Sequence, residues 1–153
     1  MTRARPASRR AGILVPLFSI PSSRSWGIGE IADIDPMSRW LDGAHQRVLQ
    51  LLPINEMPSG ETSPYSALSA MAIDPQFVAM ADVEDFHELG GEDALEPKMR
   101  RELDRVRQLP AIDYRAVRGL KNIALHRAFA HFREREWTSG TRRAAALRAY
   151  INE

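Results

Sequence analysis

The sequence predicts an α/β chain that opens with a strand–helix–strand unit and continues as a helical half. Three observations carry this. Two short apolar runs, residues 12–18 (GILVPLF) and 48–52 (VLQLL), have the length and aliphatic content of strands buried on both faces. Between them, Met37, Trp40, Leu41 and Ala44 recur at three- and four-residue spacing, one apolar helix face. Beyond residue 82, apolar residues keep helical period over several longer stretches.

Each element has a local reason. Pro16 interrupts the first apolar run and sets a bulge or strand end there. Residues 19–34 follow as a loop, with Gly27 and Gly29 permitting tight backbone turns. Asp35-Pro36 is a helix start, because Asp caps free amides and Pro fits the first helical position. Trp40 is expected in the core. Arg47 begins the second strand and Pro53 stops it. Two parallel strands joined through a helix form a βαβ unit, in which both post-strand loops leave from the same edge of the sheet. The loops at 19–30 and 53–69 are therefore expected to converge. Residues 66–71 suit a helical turn and 77–80 a short strand. Helices are expected at 82–89, ended by Gly90-Gly91, then at 96–109, 114–137 and 141–151.

The totals exclude several function classes. Twenty-one basic and 20 acidic residues leave a net charge of +1, which gives no electrostatic case for nucleic acid or an anionic membrane. There is no cysteine, so disulfides, thiolate catalysis and Cys-based metal sites are out. No apolar run approaches the roughly 20 residues that span a bilayer, and a cytoplasmic location is expected. His45, His87, His126 and His131 share no metal-ligand spacing, and the GxG at Gly27 lacks the third glycine of a dinucleotide fingerprint. No cofactor is expected. The chain divides into a disordered basic arm (1–11), a βαβ part (12–81) and a helical subdomain (82–153). The helical pattern runs to Ile151 without a stop signal, and two strands alone cannot bury both sheet faces. Continuation of the sequence in full-length relatives is expected.

Residues 50–75 carry the strongest functional signal. A strand ends at Pro53 in a polar loop holding Ser63-Pro64-Tyr65-Ser66, and hydroxyls beside an aromatic ring are a common way to build a small-molecule site. Glu56 and Glu61 are the acids of this loop, and neither is read as catalytic, since loop glutamates are usually solvated.

Four segments in order, RRAGILVPLFSIPS, WGIGEIADI, QRVLQLLPIN and SPYSALSAMAIDP, resemble the N-terminal part of the 4-α-glucanotransferases (amylomaltases and disproportionating enzymes, glycoside hydrolase family 77). VRGLKNIALHRAFAHF is similar to the region that follows. The resemblance covers about the first half of the chain. It implies an incomplete (β/α)₈ TIM-barrel fragment, its first βαβ unit followed by a helical insertion. It implies transfer of an α-1,4-glucan segment to an acceptor glucan or glucose with retention, which needs two carboxyl groups roughly 5–5.5 Å apart. In the family those acids follow later barrel strands, so the catalytic residues are not expected here and the chain alone is expected to be inactive. The implied partners are maltooligosaccharides and the missing remainder of the barrel.

By the same resemblance Tyr65 stands where the family's tyrosine lines the donor-sugar site, its ring facing sugar C–H groups and its hydroxyl bonding them. Ser63 matches a serine near bound sugar or serves as a turn residue. Ser66 stands where the family usually has Gln. Asp74 replaces the usual Asn. Trp26 stands where the family often has Tyr, and either stacks on sugar or packs beneath its loop. Gly60 falls near the place of a family aromatic associated with an accessory glucan groove. The alternative is a non-catalytic glucan-binding protein, or a helical protein-interaction module folding by itself from residue 82.

Overall fold

β1 (Gly12–Val15) and β2 (Val48–Leu51) pair in parallel, Gly12 against Val48 through Val15 against Leu51. α1 (Ile34–Gly43) joins them, which makes a βαβ unit. This computed structural model describes residues 9–152 except 59 and 62, so the basic arm expected at 1–11 lies mostly outside the described residues. α2 (Glu84–Glu88), α3 (Pro97–Gln108), α4 (Tyr114–Phe132) and α5 (Arg142–Ile151) complete a mixed α/β chain.

Local chemistry sets the boundaries. Pro16 ends β1, and Leu17–Ser19 closes as a single 3₁₀ turn. The turn Ile31–Asp33 leads into α1, held by a reciprocal cap in which the Glu30 amide donates to Asp33 Oδ2 at 2.7 Å. Asp113 Oδ1 caps α4 by accepting from the Ala116 amide at 3.0 Å. Pro97 occupies the first position of α3, where no amide is needed. At the end of α4 the chain widens into a π turn, Arg133–Trp137.

Four expectations are corrected. The strands are not buried on both faces: Leu14 is 58% exposed and Val48 41%. A sheet of two strands with one crossover helix leaves a face uncovered. Trp40 lies outside the core at 63% exposure, and the neighbouring Leu41 is the α1 residue that is buried. Residues 77–80 form no strand but run from the end of one 3₁₀ turn, Pro75–Phe77, to the start of the next, Met80–Asp82. The Gln76 and Val78 carbonyls that a neighbouring strand would take are held instead by Lys121 Nζ. Residues 66–71 are turns and bends, because the Leu68 amide reaches across to the Glu56 carbonyl at 2.7 Å.

The core forms where α3 and α4 meet the first loop. Leu103, Val106, Val117, Leu120 and Ala124 pack with Leu17, Trp26 and Ile28, and with Phe77 and Met80. Residues before 30 and after 97 thus share one apolar cluster. Fully burying each large side chain is worth about 1.5–3 kcal/mol. Among the described residues no helix is long and apolar enough to cross a membrane.

Candidate functional site

Parallel pairing places the ends of β1 and β2 side by side, so the loops that follow them leave from one edge. The first loop, residues 16–30, turns inward. Gly27 sits at φ +76°, which L side chains rarely adopt. A Cβ at Gly29 would lie 1.9 Å from the Leu17 carbonyl oxygen, so only glycine passes there. These glycines let Trp26 enter the core, where it is 0% exposed and meets Phe86 edge-on at 5.7 Å. Its indole N–H donates to Glu92 at 2.9 Å, and the Trp26 amide donates to Glu30 at the same distance. Arg107 binds both oxygens of Glu92 and also donates to the Ser25 carbonyl, tying this loop to α3. Burial pushes the Glu92 carboxyl up, but Arg107 and the Trp26 indole outweigh it and hold it below its ordinary value. Of the two roles open to Trp26, the structure has the packed ring. It presents no face to a sugar, which corrects its place among the contact residues.

The second loop, residues 53–74, turns outward. Its two legs are zipped together at the base. Asn55 bridges Ile73 antiparallel, the Glu56 amide donates to the Ala72 carbonyl at 2.9 Å, and Asn55 Nδ2 donates to the Ala70 carbonyl at 2.9 Å. Beyond this base Ser63 to Ser66 form a tight turn, the Ser66 amide donating to the Ser63 carbonyl at 3.1 Å. The turn lifts Tyr65 into solvent at 73% exposure. Ser63 is half-buried beside it and Ser66 is exposed. Glu61 accepts from the Ser63 amide at 2.9 Å, a loop-shaping bond. Tyr65, Ser63 and Ser66 therefore share one turn, while Trp26 lies apart from them in the core.

Both loops are anchored to one face of α4, where Arg118 and Lys121 stand three residues apart. Asp74, wholly buried, accepts from Arg118 Nη2 at 2.7 Å, from the Gln76 amide at 3.0 Å and from the Met57 amide at 3.3 Å. Lys121 Nζ, also buried, donates to Glu30 at 2.6 Å, the Gln76 carbonyl at 2.6 Å and the Val78 carbonyl at 2.8 Å. Burial pushes the Glu30 carboxyl up and the Lys121 ammonium down, each shift opposed by the other's charge. Sequence reasoning missed these four residues as a unit. The signal was present: position 121 falls in the apolar stripe of Val117, Leu120 and Ala124, where a lysine needs a buried partner.

Among the described residues, the two largest cavities beside these loops are similar in volume. One of about 540 Å³ opens between Gly60 and the α4 residues Tyr114, Arg115, Arg118 and Asn122. The other, about 550 Å³, lies between the serines of the first loop and the α3–α4 connection. Tyr65 lines neither. Among the described residues, Asp85, Glu88 and His131 bring three potential metal-ligand atoms within 4.8 Å of one another. His131 Nδ1 lies 3.1 Å from Asp85, whose other oxygen takes Arg143 Nη2 at 2.5 Å. These contacts join α2, α4 and α5, with Arg143 as the counter-charge of Asp85.

The sequence pattern of the 4-alpha-glucanotransferases, glycoside hydrolase family 77, matches residues 15–153. The chain belongs to the 4-alpha-glucanotransferase family. It is similar to the 4-alpha-glucanotransferase of Chlamydia trachomatis serovar D, 36% identical over 114 residues, covering 74% of this chain and 21% of that protein. The 4-alpha-glucanotransferase of Chlamydia muridarum is 30% identical over 161 residues, covering 95% of this chain and 30% of that protein. That of Mycobacterium tuberculosis strain H37Rv is 31% identical over 156 residues, covering 85% and 21%. The chain thus spans between a fifth and a third of the length of these 4-alpha-glucanotransferases.

Proposed function

We propose that this chain supplies one wall of the glucan site of a 4-α-glucanotransferase, with Tyr65 as its principal sugar contact. Ser63 and Ser66 stand beside it as hydroxyl partners. The observation that carries this reading is the exposed ring of Tyr65 at the tip of a loop whose base is pinned by buried charges. An aromatic ring left in solvent on an otherwise fixed loop gives a glucose unit a stacking face at little ordering cost. The family relationship supports a glucan as its target.

The chemistry is transfer of an α-1,4-glucan segment to an acceptor glucan or glucose, with retention. Two carboxyl groups are required, one as nucleophile and one as acid/base. Glu56 and Glu61 are not assigned those roles, since Glu61 shapes the loop and both stand off the position the resemblance gives to catalysis. The reactive acids are assigned to later strands of a (β/α)₈ barrel of which β1, α1 and β2 are the first unit. The partners are maltooligosaccharides and the rest of that barrel, in the cytoplasm. The helical-module alternative draws no support from the core, because Leu17, Trp26 and Ile28 pack with α3 and α4.

The test is a titration of the 153-residue chain with maltoheptaose, followed by NMR. Shifts centred on Ser63 and Tyr65 that vanish in Tyr65→Ala are expected. Shifts elsewhere, or unchanged binding in the variant, would overturn the assignment. With maltotriose, the purified chain alone is expected to release no glucose and form no longer glucan; turnover would show that the acids lie within it.

A further inference from the structure

We infer that Arg118 is a positioning residue for the glucan site, acting through Asp74 to hold both legs of the loop that presents Tyr65. The inference rests on the glucan reading above for its purpose, but its geometry stands alone. Among the described residues, no hydrogen bond or ring contact ties Tyr65 to α4. Besides the backbone bonds at its base, its loop is held by the Asp74 carboxylate, whose Oδ2 receives the Met57 amide from the leg before Tyr65 and whose own backbone is the leg after it. Asp74 Oδ1 receives the Gln76 amide as well. A wholly buried carboxylate accepting two amides still needs a cation in contact, and Arg118 pairs with it directly at 2.7 Å.

Charge and geometry together give the loop one seat. Without the guanidinium at 118, Asp74 Oδ2 loses the contact that fixes its orientation, and a carboxylate that turns away releases the Met57 amide. The leg before Tyr65 would then be held only by the Asn55–Ile73 bridge and the backbone bonds of Glu56 to Ala72 and Leu68. Tyr65, eight residues beyond Met57, would lose its fixed direction. Lys121 does the corresponding work one helical turn on, where it joins Glu30 of the first loop to the carbonyls of Gln76 and Val78. α4 therefore sets the two loops against each other, and Arg118 is the member of that pair that acts on the Tyr65 loop.

The experiment compares the 153-residue chain with its Arg118→Met and Arg118→Lys variants, by maltoheptaose titration and amide hydrogen exchange. Loss of a charge-assisted hydrogen bond predicts that Arg118→Met binds maltoheptaose about tenfold more weakly, with Met57 exchange about tenfold faster. The Leu103 amide in the core is expected to keep its protection, and Arg118→Lys to recover most of the affinity. Binding within about twofold of the original chain, with Met57 exchange unchanged, would overturn the proposal. Should the original chain fail to bind maltoheptaose, the glucan reading falls. The clamp is then decided by exchange alone: faster Met57, Ser63 and Tyr65 amides support it, and unchanged ones refute it. If Arg118→Met loses protection at Leu103, the Arg118→Lys chain carries the same comparison, with a smaller rise at Met57 as support and none as refutation.

Discussion

The two loops that follow β1 and β2 begin from the same edge and end in opposite conditions. The first places its aromatic ring, Trp26, wholly in the core; the second places its ring, Tyr65, almost wholly in solvent. The first is held along its length by Glu30, Glu92 and Arg107, whereas the second is held at its base and presents Tyr65 to solvent. The contrast teaches that a shared exit does not make a shared surface. The first loop is a structural plug that fixes the edge, and the second uses that fixed edge to hold out a recognition turn.

The largest break in this comparison comes from the plug. Trp26→Ala removes a fully buried indole and its hydrogen bond, and a loss of about 3–5 kcal/mol is expected. Lys121→Met leaves Glu30 and two carbonyls buried without a cation, and removing one partner of a buried pair costs about 3–5 kcal/mol. Urea unfolding measures both. A loss below about 1 kcal/mol in either would mean that the first loop is not a plug. Pairing Lys121→Met with Glu30→Gln should be milder than Lys121→Met alone, because no buried carboxylate is then stranded.

A smaller effect sharpens the same region. Glu92→Gln weakens the links to Arg107 and the Trp26 indole, and should cost about 1–3 kcal/mol at neutral pH. The sign with pH follows from the lowered value of this carboxyl. Stability from Glu92 is complete above its ordinary value of 4.5 and is lost as the pH falls through the lowered one. The original chain should therefore lose stability in that acid window, followed by Trp26 fluorescence, and Glu92→Gln should lose less. Equal acid limbs for the two proteins would remove Glu92 from the plug.

Much of this was readable from residue order. The βαβ unit follows from two apolar runs around an apolar helix face, and the helices from their 3.6-residue period. Asp35-Pro36 is not the helix start, because α1 begins at Ile34 with Asp33 in the cap position. The Tyr65 turn follows from Pro, Ser and Gly punctuation. The strand expected at 77–80 failed because a lysine 43 residues on takes the Val78 carbonyl, a long-range contact that local propensity does not contain. Trp40 was placed inside because helical spacing gives a face but not the width of what covers it, and here the cover is only two strands wide. Trp26 could be read either way, since a ring beside two glycines fits a buried turn as well as a sugar platform. What decided it was Glu92, which meets the indole N–H from 66 residues away.

The smallest expected effect on stability is at the ring the comparison singles out. Tyr65→Ala should change the unfolding free energy by no more than about 0.5 kcal/mol, because the side chain is already in water and shares no core contact. The same substitution should abolish the response to maltoheptaose, since a sugar stacked on that ring has no second aromatic in the turn to replace it. The pair of outcomes is what separates the readings. A large loss of stability would mean that Tyr65 is a packing residue on this chain and that the two loops differ only in degree. A neutral variant that still binds would put the glucan contact elsewhere, and the cavity between Gly60 and α4 would become the surface to map.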